Sequence, residues 1–225
     1  MHHHSPFTLY LVTDPDLAGG SNLVPGIVVK AVRGGVTCVQ IRDKHGSDEE
    51  VASCALATRA ALAEAGYAAI PIFVNDRLDV AREHGFHLHV GQTDAPYVQS
   101  RATLSAELMV GLSVGSLVEL DESLKRVDAA GVRPPDVLGI GPVWQTPTKT
   151  DAGEGIGPDT VAEIARIGRA RGIASVAIGG IHADTVAQVY GVDGICVVSE
   201  IMGANDPMSA AATLLHRASG SYSDR

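Results

Sequence analysis

The feature that most constrains this chain is a rhythm. Eight short apolar runs (Thr8–Asp14, Cys38–Asp43, Pro71–Asp76, Gly85–Val90, Leu108–Val114, Asp136–Val143, Ser175–Gly180 and Gly194–Ile201) recur with helical patterns between them. Their spacing is about one βα unit of roughly 30 residues. Most are continuous Val, Ile and Leu, as expected of strands covered by helices. Hydrophobic residues make up 45% of the 225, but Phe, Tyr and Trp only 4%, so aliphatic side chains are expected to fill the core.

The intervening segments carry helix signals. Ser47-Asp48-Glu49-Glu50 is a capping box. Val51, Cys54, Ala55, Ala61, Leu62 and Ala65 follow at helical spacing, and Gly66 ends the run. Gly157-Pro158-Asp159 and Asp206-Pro207 place proline near the first turn of two further helices. Eight strands, each followed by a helix, close most naturally into a single (β/α)8 TIM barrel of the α/β class. An open doubly wound sheet is the alternative, but no G-x-G-x-x-G follows the first strand. The barrel is expected over residues 8–218. Residues 1–7, with His2, His3 and His4, read as a tag remnant or flexible N-terminus, and residues 219–225 as a flexible C-terminal tail.

The net charge of −9 and the lack of a basic run speak against nucleic acid or an anionic membrane as a partner. No apolar stretch approaches the ~20 residues of a bilayer span, and the first residues do not form a signal peptide. Three scattered cysteines, Cys38, Cys54 and Cys196, suggest reduced thiols in the cytoplasm. A homo-oligomer is left open.

Five polar clusters fall at the C-terminal ends of strands, where barrel enzymes carry their sites. In Gln40-Ile41-Arg42-Asp43-Lys44, alternation puts Gln40, Arg42 and Lys44 on one face, and Val39 and Ile41 outward under helices. Asn75-Asp76-Arg77 and Gly91-Gln92-Thr93-Asp94 end the third and fourth runs. Asp76 and Asp94 each suit a helix cap; together they suit Mg²⁺, which takes one or two carboxylates plus substrate phosphates. His87 and His89 share a face and read as a hydrogen-bonded interior pair, with no third ligand for zinc. Gly141–Lys149 brings hydroxyls and an ammonium together, within a long irregular stretch, Gln145–Gly157, suited to closing over a phosphate. Gly179-Gly180 with Val198-Ser199 match the phosphate site of the last two barrel loops. No Ser–His or Cys–His nucleophile pair is evident.

Taken in order, the Gln40–Lys44, Asn75–Arg77, Gly91–Asp94, Gly111-Leu112-Ser113, Thr146–Lys149 and Ile178–Ile181 motifs resemble thiamine-phosphate synthases over Leu9 to about Pro207. The resemblance implies condensation of a pyrimidine diphosphate with a thiazole phosphate, releasing diphosphate. It implies one Mg²⁺ per subunit at Asp76 and Asp94. Gln40, Ile41, Arg42, Asp43, Lys44, Asn75, Ser113 and Lys149 would hold the pyrimidine diphosphate, with Arg42, Lys44, Ser113 and Lys149 catalytic. Thr146, Pro147, Thr148, Gly180, Val198 and Ser199 would hold the thiazole phosphate. Gly115 stands where relatives often carry His, and Thr150–Gly157 is acidic and Gly-rich in its own way. The rival readings are a thiazole-phosphate tautomerase and a non-catalytic sensor of thiamine-pathway phosphates, both on the same barrel.

Overall fold

All eight apolar runs become parallel strands: β1 Leu9–Val12, β2 Cys38–Ile41, β3 Ile72–Asn75, β4 His87–Val90, β5 Val110–Val114, β6 Val137–Ile140, β7 Ala174–Ile178 and β8 Gly194–Val197. The structure, a computed structural model, describes residues 5–146 and 154–222. The strands pair in sequence order, and β8 returns to β1, with Leu9, Tyr10 and Leu11 opposite Ile195, Cys196 and Val197. The ring is closed, a (β/α)8 barrel.

Alternation sorts each strand into two layers. Leu11, Val39, Ile41, Val74, Leu88, Leu138 and Ile195 point outward and pack beneath the helices in an aliphatic shell. Inward lie Phe7, Tyr10, Val12, Cys38, Phe73, Val137, Val176 and Cys196. The expected aliphatic filling holds for the outer shell, while inside the barrel valines share the space with aromatic rings and two thiols. Inside, the rings of Tyr10 and Phe73 lie 5.6 Å apart, with Phe7 6.2 Å and His87 4.9 Å from Phe73. A few large rings fill a tapering interior that smaller residues would leave hollow.

The helices are α1 Pro15–Ala18, α2 Val24–Arg33, α3 Asp48–Glu64, α4 Leu78–His84, α5 Tyr97–Thr103, α6 Leu117–Ala130, α7 Gly157–Ala170, α8 Ser199–Met202 and α9 Pro207–Tyr222. Both halves of the Ser47/Glu50 capping box form at the start of α3. Several expectations are corrected. Asp14 does not end a strand; its Oδ1 accepts the Asp16 and Leu17 N–H groups and caps α1. The eighth strand stops at Val197, because Val198 turns out of the extended region (φ −121°, ψ −82°) and Ser199–Met202 coils into α8. After β7 only a 3-10 turn, Val186–Gln188, forms, and α9 packs beside it. At the ends, Phe7 is buried against the barrel interior and α9 runs to Tyr222.

Two strand glycines are spacers. A Cβ on Gly111 would stand 2.3 Å from His89 Nδ1, and one on Gly139 3.2 Å from the same ring. Gly111→Ala should therefore cost about 1–3 kcal/mol by overpacking. Gly26→Ala, in α2 with nothing within 4 Å of the added carbon, should be neutral or stabilising by up to ~1 kcal/mol. Denaturant midpoints of the two variants check this, and equal midpoints would contradict the slot.

Candidate functional site

The strands open at their C-terminal ends into a cavity of about 480 Å³. A second hollow of about 440 Å³ lies at the opposite end, lined by Arg59, Tyr67, Phe86 and His87 but by no carboxylate. That face of a barrel serves stability, and its histidine is engaged, Nδ1 accepting the Met109 N–H at 3.0 Å. The chemistry gathers at the first cavity.

Its floor is Tyr10, whose hydroxyl accepts a hydrogen bond from Gln40 Nε2 at 3.0 Å; Gln40 is 4% exposed. Cys196 also reaches the cavity, but burial pushes its thiol well up, leaving it a poor nucleophile. Arg42 enters from the end of β2. Its backbone is tied to buried Thr13: the Arg42 N–H donates to Thr13 Oγ1 at 3.0 Å, and the hydroxyl is 3.4 Å from Arg42 O.

Asp76 and Asp94 do not cap helices. Arg77 and Pro96 occupy the cap positions of α4 and α5, and neither cap has a side-chain bond. Asp94 Oδ2 instead accepts the Gly91 N–H at 2.8 Å. Asp76 sits in the left-handed region at φ 59°, a conformation that Asp and Asn tolerate far better than other non-glycine residues. Its N–H donates to His89 O at 2.9 Å, one oxygen accepts from Asn75 Nδ2, and the other, Oδ1, is buried without a hydrogen-bond partner. Burial, then the adjoining Asp94 carboxylate, push Asp76 up to about 7, while Arg42 offsets part of the rise.

Ser113 is held twice from the neighbouring strand. Its Oγ lies 3.0 Å from His89 Nε2, and its carbonyl accepts from Gln92 Nε2 at 2.8 Å. The Ser–His pair that the sequence did not show thus exists, made by the pairing of His89 with Gly111, two residues before Ser113. Across the mouth, Gly179 and Gly180 turn left-handed at φ 99° and 66° beneath the loop after β6, with the Trp144 N–H donating to Gly179 O at 3.1 Å. Val198, Ser199 and Thr146 complete that side of the lining.

Among the expected residues, Gln40, Arg42, Asn75, Asp76, Asp94, Ser113, Thr146, Gly180, Val198 and Ser199 line one cavity. Three do not. Ile41 is 1% exposed in the outer shell. Asp43 folds its own loop, Oδ1 accepting the His45 and Gly46 N–H groups at 2.9 Å. Lys44 is exposed beyond the rim. Pro147, Thr148 and Lys149 lie outside the described residues. His89, Gln92, Glu119 and His182 line the cavity without having been singled out as site residues. Alternation along β4 already pointed His89 inward, and Gln92 sits in the Gly91–Asp94 motif; nothing local marked Glu119 or His182.

Fold and mouth together define the class: a (β/α)8 barrel enzyme with its polar residues gathered at the C-terminal strand ends. The chain belongs to the thiamine monophosphate synthase family, whose sequence model matches residues 9–201. It is 41% identical over 209 residues to a thiamine-phosphate synthase of Albidiferax ferrireducens, covering 92% of this chain and 89% of that one. The thiamine biosynthesis multifunctional protein ThiED of Corynebacterium efficiens is 46% identical over 211 residues, 93% of this chain but 28% of that protein, so the chain spans little more than a quarter of this larger relative. Among solved structures, a thiamine phosphate pyrophosphorylase from Pyrococcus furiosus superposes with a TM-score of 0.79 at 31% identity, covering 96% of this chain and 97% of that one.

The carboxylate pair yields a stability prediction. An acid whose folded value is raised to about 7 from an unfolded value near ~3.9 costs stability as pH climbs through that window, because the folded state binds more protons there. With a chelator present, Asp76→Asn should melt above the parent at about pH 8 and level with it at about pH 4. Asn keeps the left-handed backbone, so the difference reports charge. Equal melting at both pH values would refute it.

Proposed function

We propose that this protein joins 4-amino-2-methyl-5-hydroxymethylpyrimidine diphosphate to thiazole phosphate, giving thiamine phosphate and diphosphate. The observation that carries this reading is the half-buried pair of Asp76 and Asp94 lining one cavity with Arg42, Asn75 and Ser113, across the mouth from the Gly180–Ser199 side. Family membership supports it as well.

The acidic pair fits Mg²⁺: it offers hard oxygen donors, an unpartnered buried Oδ1 and like charges that want a cation. Among the described residues no group of three or more His, Cys, Asp and Glu assembles, so substrate oxygens would complete the shell. One Mg²⁺ per subunit, held by Asp76 and Asp94, would offset the charge that develops on the departing diphosphate.

The residues of the chain supply the rest. Gln40, fixed by Tyr10, presents a side-chain amide to the pyrimidine ring. Arg42 and Asn75 bind the diphosphate, Ser113 offers its hydroxyl, and Lys44 and Lys149 add positive charge. As the methylene–oxygen bond breaks, the ring amino group shares the positive charge, and the thiazole nitrogen attacks the same carbon. Most of the barrier is charge separation onto the leaving group, which fixed cations lower. On the other side, Thr146, Gly180, Val198 and Ser199 hold the thiazole phosphate, and Pro147 and Thr148 share that role. Three buried free thiols suit a reducing, cytoplasmic setting, and no helix among the described residues is long and apolar enough to cross a membrane.

The test is turnover. Mixed with both substrates and Mg²⁺, the protein should release thiamine phosphate and diphosphate. Asp76→Asn and Asp94→Asn should each fold and lose on the order of a hundredfold or more in kcat, several kcal/mol at about 1.4 kcal/mol per tenfold. Full activity of both variants at low Mg²⁺ would remove the metal assignment. No product from the parent would remove the function.

A further inference from the structure

Glu200 directly follows Ser199, so the fold sets a carboxylate beside the residue read above as a phosphate ligand. Unscreened, that charge would oppose a phosphate dianion. Both of its oxygens are instead turned to the loop after β7. Oε2 lies 2.8 Å from His182 Nδ1, and Oε1 accepts the Ala183 N–H at 3.1 Å. The bonds continue: the His182 N–H donates to Thr185 Oγ1 at 2.9 Å, and the Thr185 hydroxyl donates to Gly180 O at 3.2 Å. An unbroken chain of polar contacts therefore runs from Glu200 to Gly180, joining α8 to the loop after β7 across the phosphate end.

His182 itself lines the cavity, with a side chain 49% exposed. Of the residues lining this end, from Gly179 to His182 and Val198 to Ser199, it alone can carry positive charge. With Nδ1 engaged by the carboxylate, Nε2 is the ring nitrogen left to bond a ligand. A phosphate dianion only accepts hydrogen bonds, so Nε2 would serve it as a donor.

We infer that Glu200 is a positioning residue for the phosphate of the thiazole substrate, locking the loop after β7 to α8 and holding the His182 imidazole at the rim as a donor to that phosphate. This rests on the function proposed above. Neither side chain belongs to the buried core, so its role separates from that of the barrel scaffold.

Steady-state kinetics with each substrate varied in turn tests it. Glu200→Ala should raise the KM for thiazole phosphate roughly tenfold to a hundredfold, the range for a charge-assisted hydrogen bond, and leave the KM for the pyrimidine diphosphate essentially unchanged. Glu200→Gln, which still accepts the Ala183 N–H, should recover part of the loss and carries the test if the alanine variant does not fold. His182→Gln should raise the same KM, and the double variant should be no worse than Glu200→Ala alone. An unchanged KM for thiazole phosphate, equal rises for both substrates, or additive effects in the double variant would overturn the clamp. If the parent makes no thiamine phosphate, the functional reading falls and takes the clamp with it; an active parent with an indifferent Glu200→Ala removes the clamp alone.

Discussion

Eight parallel strands closed into a ring leave an interior only wide enough for side chains. In this protein Tyr10, Phe73 and Phe7 take the lower part of it. What remains above them is a shelf on which polar groups stand in fixed positions. Gln40 rests on the Tyr10 hydroxyl. His89 fits beside Gly111 and Gly139, and from there it reaches Ser113. The missing β-carbons of two glycines thus decide where a histidine lies, and the histidine holds a serine hydroxyl at the mouth. Packing and polar arrangement form one system, as expected where interiors are filled to crystal-like density.

The acidic pair shows the opposite economy. Two adjoining carboxylates, one half-buried with an unpartnered buried oxygen and a left-handed backbone, weaken a fold unless something compensates. Arg42 offsets part of the charge, and its own backbone is pinned by a threonine hydroxyl on the adjacent strand. Strain concentrated at one point in an otherwise regular barrel marks that point as the working part. The barrel can bear it because its outer shell of Val, Ile and Leu is buried almost without exception.

Much of this was legible in the residues. The period of the apolar runs carried the barrel, since eight runs a βα unit apart have few other ways to bury themselves. Strand ends were harder. Val198 leaves the extended region although it is as apolar and β-branched as Val197 before it. Of the trio that alternation set on one face, Gln40 and Arg42 line the cavity and Lys44 does not, and alternation could not foresee that Asp43 would spend its carboxylate on its own loop. The Ser113–His89 contact joins residues 24 apart through strand register, and the Glu200–His182 contact spans 18 residues between α8 and the loop after β7. Neither leaves a local pattern. Composition did not show that three of the few aromatic rings, Phe7, Tyr10 and Phe73, would meet inside the barrel.

Closure itself has a consequence in time. Residues Leu9–Leu11 find their second neighbours in Ile195–Val197, at the far end of the barrel sequence. Until β8 has been synthesised, β1 presents an unpaired apolar edge, the kind of surface on which chains aggregate. Pairings between such distant segments are slow to form, because loop entropy is lost before contacts repay it. A nascent chain must therefore keep β1 shielded until β8 has emerged, and β1 is the stretch where a chaperone would do the most good.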